Sequence, residues 1–435
     1  MNAGRLIIML RKLEYIFLVG SIALIGADRI DLFAGKGAFT LTPFVVLAPL
    51  LLFLFALNNG MAGRFSFSVT PAIRRTTPYF AWLFVFLFLS SVATILGVDP
   101  DRGLKALIDL FLVSLLGSFI AVQILADPKR EKLVVRSVTL GLIVYFLFCV
   151  GECIAWSHGI IQGADNGGSW LETMFAAKTL FWVPRVSGAT VDANRSGFVL
   201  VMYLVLLDHF VPKSRYIRFL RFAIAVFLLL ALSRSAILCW FAYWLFSQGS
   251  GLRKAPWRKL AWVSVFAVVA LIAGVRYRTE LGNLLDAWQV GDIVSDRMSG
   301  EEGTSGGEHI QLIKAGFDAW ASTPHTVIAG MGLRSAPAVL GNFFGDDKNG
   351  NFHCLYVTAL AELGLPAFLA LIILLTYPLI GRKGALPPIA AIMVFNAPYQ
   401  SHMEPIFWLV LAVAWSYQMR TSQSRVSPAR VVVPV

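Results

Sequence analysis

Arg185, Arg195, Arg234, Arg276, Arg278, Arg297 and Arg334 stand at the ends of apolar runs or in the longest polar stretch between them. His353 stands where that stretch gives way to the next apolar run. A guanidinium presents a planar fork of donors that pairs bidentately with phosphate and keeps its charge at any physiological pH. An imidazole with an ordinary pKa of about 6.5 is a natural proton acceptor near neutrality. Together these types suit an anion site with a base beside it: cations hold a phosphate or diphosphate, and the imidazole is a candidate general base. Each arginine alone has a blander use, snorkelling to headgroups or pairing with Asp or Glu. A lone histidine at a helix start is more often a cap. It is the collective placement that favours the site.

Three carboxylates, Asp109, Glu152 and Glu362, fall inside apolar runs, where an ionisable group is a functional candidate by default. His309, His325 and His402 have less context. No HExxH, GxSxG, Walker A or GxGxxG pattern occurs, and Cys149, Cys153, Cys239 and Cys354 make no CxxC or Cys/His cluster. Three of the cysteines lie in apolar runs and read as buried small hydrophobes. Glu301-Glu302 and Asp346-Asp347 sit in polar stretches and read as solvated. The expectation is a site with no metal and no cofactor.

Composition says what positions these groups. Of the 435 residues 57 % are hydrophobic and 14 % charged, with mean hydropathy +0.71. Soluble chains carry about 45–50 % and about 25 %, so an ordinary soluble enzyme is excluded. Apolar runs lie near residues 15–33, 41–58, 77–98, 104–125, 135–157 and 195–211, then near 217–233, 235–250, 259–275, 352–380, 386–401 and 404–419. About 20 apolar residues cross a bilayer, so these runs predict an all-α polytopic bundle of about twelve spans. The net charge of +12 does not point to nucleic acid, because the basic residues lie in short segments between runs and set topology. With a cytoplasmic N-terminus, 23 of the 37 Lys and Arg fall inside, and six of the other 14 lie in one long loop. Both termini are then cytoplasmic.

The expected organisation is spans one to nine over residues 1–275, an extracytoplasmic loop over 276–351, spans ten to twelve over 352–420, and a tail over 421–435. In the loop, Ser305 to Glu308 (SGGE) reads as a capping box. Ile310, Ile313, Phe317 and Trp320 then form one apolar stripe on a helix stopped at Pro324. The stripe suits either the membrane interface or packing on the bundle. Gly330-Met331-Gly332 and the run Gly341 to Gly350 read as turns. No internal repeat is evident, which weighs against transporters built from inverted halves.

Four blocks in order carry a family resemblance: RVSGATVDANRSG (Arg185 to Gly197), LSRSA (Leu232 to Ala236), WASTPHTVIAGMGLRS (Trp320 to Ser335) and HCLYVTALAELGLPAF (His353 to Phe368). NAPYQSHMEPIFW (Asn396 to Trp408) follows as a last extracytoplasmic turn. Over most of residues 180–420 the chain resembles the O-antigen ligase / O-antigen polymerase (Wzy-type) superfamily of bacterial inner-membrane glycosyltransferases. The resemblance implies transfer of a saccharide from undecaprenyl diphosphate to an acceptor hydroxyl at the periplasmic face, without a metal. Arg185 and Arg234 would hold the diphosphate and His353 would be the base. Asn194, Arg195, Arg276, Arg278, Arg297 and Arg334 would be further substrate contacts. The implied partners are the undecaprenyl-diphosphate-linked oligosaccharide, the lipid bilayer, a chain-length regulator and a flippase. Two departures stand out: His353-Cys354 replaces the family's His-Asn, and Glu308-His309 stands where an arginine is usual. The stretches GADRIDLF (Gly26 to Phe33) and TLTPF favour a polymerase of exopolysaccharide or O-antigen repeat units. A ligase passing the glycan to lipid A core is the alternative, and a transporter of lipid-linked sugar the third.

Overall fold

The computed structural model describes residues 3–30, 42–61, 71–126, 131–160, 175, 178–180, 183–211, 215–231, 233–247, 305–344, 351–380 and 384–417. Its first half contains α1 (Ala3–Ala23), α2 (Pro43–Met61), α3 (Pro71–Ile95), α4 (Pro100–Ala126) and α5 (Glu131–Ser157). An antiparallel hairpin of β1 (Lys178–Leu180) and β2 (Val183–Arg185) follows. Then come α6 (Ala193–Phe210), α7 (Arg215–Leu230) and α8 (Arg234–Ser247). The last part holds α9 (Ser305–Trp320), α10 (Pro324–Ala329), α11 (Ala336–Phe344), α12 (Leu355–Thr376), α13 (Leu386–Phe395) and α14 (Pro405–Ser416). Pro43–Gly60, Ile73–Ile95, Pro100–Ala126, Lys132–Ser157 and Leu355–Leu379 are long and apolar enough to cross a membrane. The chain is a helical membrane protein.

The sequence expectations and the structure differ in identifiable places. The first helix is Ala3–Ala23 instead of 15–33, because Arg11 and Lys12 sit on its exposed face and do not interrupt it. α13 ends at Phe395, six residues early: the Asn396 side chain donates to Ile392 O (2.8 Å) and accepts the Ser401 N–H (2.7 Å), turning the chain. Helix α11 runs to Phe344, through the first part of the stretch read as a turn from Gly341. Cys149, Cys239 and Cys354 are buried, but Cys153 faces outward from α5. The span at 259–275, the loop residues 276–304, both acidic pairs and the whole tail over 421–435 lie outside the described residues.

α14 is the axis. All twelve of its residues are buried, among them Trp408 and Trp415, and it packs on α3, α4, α6 and α13. A helix apolar all round has to be enclosed by others. At one end of the bundle Arg75 donates to Ser416 O (2.9 Å) and the Trp415 indole to Leu374 O (2.9 Å). At the other end Arg29, after α1, pairs with Glu152 of α5, and the Tyr203 hydroxyl of α6 meets Ile22 O (3.0 Å) and Ala23 O (2.9 Å). This second end is where the polar residues collect.

α12 is broken at Gly364 (φ 75°, ψ 173°). Pro366 has no N–H to offer the Glu362 carbonyl, so that carbonyl accepts from Gly332 (2.8 Å), and Ala361 O accepts from Met331 (2.9 Å). Residues 330–332 thus fill the gap in a membrane helix from outside. Only glycine fits: a Cβ on Gly364 would overlap the Ile328 carbonyl, and a left-handed φ costs other residues about 1–3 kcal/mol. Gly364→Ala is expected to lower the thermal midpoint of the detergent-solubilised protein, and an unchanged midpoint would refute the tight seam.

α9 starts at Ser305, where the capping box was expected; the side chains from Ser305 to His309 lie outside the described residues. Its packed face overlaps the expected stripe only at Ile313 and Trp320. Leu312, Ala315, Gly316 and Ala319 turn inward, because a residue as small as Gly316 admits Val357 of α12 and Phe352 just before that helix. Ile310 (58 % exposed) and Phe317 (44 %) point outward, joined by Ile328 (63 %) of α10, while Ile313 and Trp320 are half-buried.

Candidate functional site

A cavity of about 360 Å³ opens at the polar end of the bundle. Arg102 and Ala106 of α4, Arg195 of α6, and Leu333, Arg334 and Pro337 before and in α11 form one side. Asn351, Glu362 of α12, and Tyr399, Gln400, His402 and Met403 of the α13–α14 turn form the other. A second cavity of about 220 Å³ shares Arg195, Arg334 and Met403 and continues among Phe44, Val45, Asp109, Leu112 and Val113. From Arg102 to Val113 is about 16 Å along α4, so the two cavities together sink deep between the helices.

Each wall has a local cause. The Glu362 carboxylate accepts the Arg334 N–H (3.0 Å) and the Ala336 N–H (3.3 Å), an anion placed at the N-terminus of α11. That grip holds Arg334 at φ 55°. His353 sits at φ 53°, its N–H given to Asn351 Oδ1 (2.8 Å). Among the described residues these are the two non-glycine residues with positive φ. Such strain persists only where the surroundings over-determine it, and it gathers at functional sites. Arg195 is clamped between Asp28 and Glu404, which fastens α6 to the ends of α1 and α14.

Beyond Tyr399 lies a second cationic group. Arg185 ends β2 and donates to Asn194 Oδ1 (3.0 Å) and Ala231 O (3.3 Å). The same Asn194 oxygen accepts from the Ser233 hydroxyl (2.8 Å), so the hairpin, α6 and the α7–α8 turn meet at one amide. Asp192 caps α6 and fixes Asn194 in place. Arg234, the first residue of α8, is exposed and acts electrostatically on Arg185. Burial pulls the Arg185 guanidinium below its ordinary value, Asp192 opposes this, and the Arg234 cation adds to it. Two guanidiniums this close raise the local potential for an anion.

The structure therefore brings Arg185, Asn194 and Arg234 into one group, and places Arg195 and Arg334 in the cavity walls. His353 stands beside the cavity residue Asn351, at the same end. Arg276, Arg278 and Arg297 lie outside the described residues. Of the three carboxylates at membrane depth, Asp109 lines the second cavity, Glu362 holds Arg334, and Glu152 is structural. Arg102, Tyr399, Gln400 and His402 had not been singled out as site residues; the clue was the polar, aromatic run Tyr399 to His402 between two apolar segments. Among the described residues no three His, Cys, Asp or Glu side chains are grouped as for a metal. A scan against protein-family models matches none to this chain, and a search of curated proteins finds no match either.

Proposed function

We propose that the chain is a membrane glycosyltransferase that polymerises undecaprenyl-diphosphate-linked oligosaccharide repeat units at the periplasmic face of a bacterial inner membrane. The observation that supports this reading is a cavity lined by Arg102, Arg195 and Arg334 at one end of an apolar bundle, with Arg185 and Arg234 grouped beyond Tyr399 and His353 next to the lining residue Asn351. The finer topology belongs to the same reading: twelve spans, cytoplasmic termini, and a large loop between spans nine and ten, bringing Arg276, Arg278 and Arg297 to the polar end. In the reaction His353 takes the proton of the acceptor hydroxyl as its oxygen bonds to the anomeric carbon. The bond from that carbon to the diphosphate oxygen breaks, and the leaving diphosphate carries its charge to Arg185 and Arg234. One in-line displacement inverts the anomeric centre. Cations set in a water-poor site stabilise such charge without reorganising.

Purified protein incubated with lipid-linked repeat units alone should give a ladder of products on a gel. Transfer only when lipid A core is supplied would make it a ligase instead. No glycosidic bond with either acceptor would remove the enzyme and leave a transporter.

A further inference from the structure

We propose that the cavity under the α13–α14 turn is a saccharide subsite in which the His402 ring reads one sugar hydroxyl. Its place in the reaction rests on the glycosyltransferase reading above. Its chemistry comes from the cavity.

His402 is 4 % exposed, lines the cavity, and its Nδ1 atom has no hydrogen-bond partner among the described residues. Buried polar atoms are nearly always paired, so an imidazole in a cavity wall with an unpaired nitrogen looks to a ligand for a partner. The backbone that carries the ring is also held still. Ser401 gives its N–H (2.7 Å) to Asn396 Oδ1, and the Trp408 indole donates to the His402 carbonyl (2.7 Å), fixing the turn on both sides.

Charge decides which ligand. Burial and the nearby Arg334 cation lower the His402 pKa to about 4, so the imidazole is neutral at pH 7. A neutral imidazole carries one donor and one acceptor nitrogen. A hydroxyl donates and accepts, and so satisfies Nδ1 in either tautomer; a phosphate oxygen only accepts. Arg102, Arg195 and Arg334 line the same cavity and attract anions, so pyrophosphate is the necessary control in the test. The same low basicity makes His402 a poor proton acceptor, which leaves that step to His353.

The rest of the lining suits a polyol. Gln400 spends its amide oxygen on the Thr358 hydroxyl (2.9 Å) and keeps its N–H donors. Tyr399 adds an aromatic ring with a polar tip, and Asn351 a further amide. The volume of about 360 Å³ falls at the lower end of the ~300–1,000 Å³ range of ligand sites. A site built to bond a hydroxyl discriminates strongly against an analogue that lacks it, so His402 would help choose the sugar.

The test is NMR on full-length protein carrying ¹³Cε1-histidine in lipid nanodiscs. Six histidines give a simple spectrum, and His402→Gln identifies the His402 resonance. The probes are a panel of hexoses, 6-deoxyhexoses and N-acetylhexosamines, with inorganic pyrophosphate as the anion control. At least one sugar should shift the resonance saturably, pyrophosphate should not, and Gln400→Ala should weaken that sugar by about tenfold while the resonance persists. A His402 signal that moves with pyrophosphate, or with nothing, overturns the subsite, and substituting the other five histidines one at a time assigns the resonance by elimination should His402→Gln fold poorly. A saturable sugar shift in a protein that forms no glycosidic bond keeps the subsite and removes the enzyme. Full transfer by His402→Gln with an unchanged KM for the acceptor keeps the enzyme and removes the subsite.

Discussion

Arg185→Ala will slow glycosyl transfer by about 10²–10³, the usual cost of removing one preorganised group that meets developing charge. The residue is half-buried and held by Asn194 and Ala231, so its guanidinium is already aimed before any substrate arrives. Its neighbour Arg234 raises the demand for an anion without offering one. Arg185→Lys should fall between wild type and alanine, because an ammonium keeps the charge but not the fork. His353→Ala should cost about 10²–10⁴. The readout is product formed per minute from lipid-linked repeat units, with membrane insertion and thermal midpoint measured on the same samples. Wild-type turnover in Arg185→Ala or His353→Ala would end the assignment.

The second large effect is on stability. Glu152 is fully buried and its carboxylate takes the Ser187 N–H (3.0 Å), the Gly188 N–H (2.9 Å) and the Arg29 guanidinium. Arg29 in turn donates to Gly188 O (3.2 Å). One carboxylate thus ties α5, the end of α1 and the stretch just after Arg185. Glu152→Ala takes from the buried Arg29 guanidinium its carboxylate partner, and breaking a buried pair costs about 3–5 kcal/mol. Glu152→Gln keeps one acceptor oxygen and should lose less. Thermal unfolding in detergent should rank wild type, Gln and Ala in that order, and cleavage by added protease near residues 178–185 should rise in the same order. Equal midpoints for Glu152→Ala and wild type would show that Arg29 finds another partner.

How far the sequence could be read follows from the physics of each signal. The apolar runs were legible because a membrane helix needs length and little else, and α4 and α5 lie close to where the runs lie. Ends were not, because they depend on single bonds: the Asn396 side chain cuts α13 short, and no periodicity registers one amide. Arg185 and Arg234 could be picked out because cations at apolar borders are conspicuous, and Asn194 came only with the family resemblance. Arg195 shared that pattern, yet its two carboxylate partners, Asp28 and Glu404, come from 167 residues before it and from the far side of the chain. His402 was passed over since its meaning lies in a void, and a void has no letter. The break at Gly364 had a local cue in the following Pro366, but its filling by residues 330–332 is a tertiary fact.

That filling has a consequence for how the molecule could be taken apart. Cutting away the segment that carries Met331 and Gly332 would strip two carbonyls of α12, at Ala361 and Glu362, of the donors they now have. Facing hydrocarbon, each bare carbonyl would cost several kcal/mol. The segment after Ser305 is therefore a plug seated in the bundle, and neither half would keep its shape without the other.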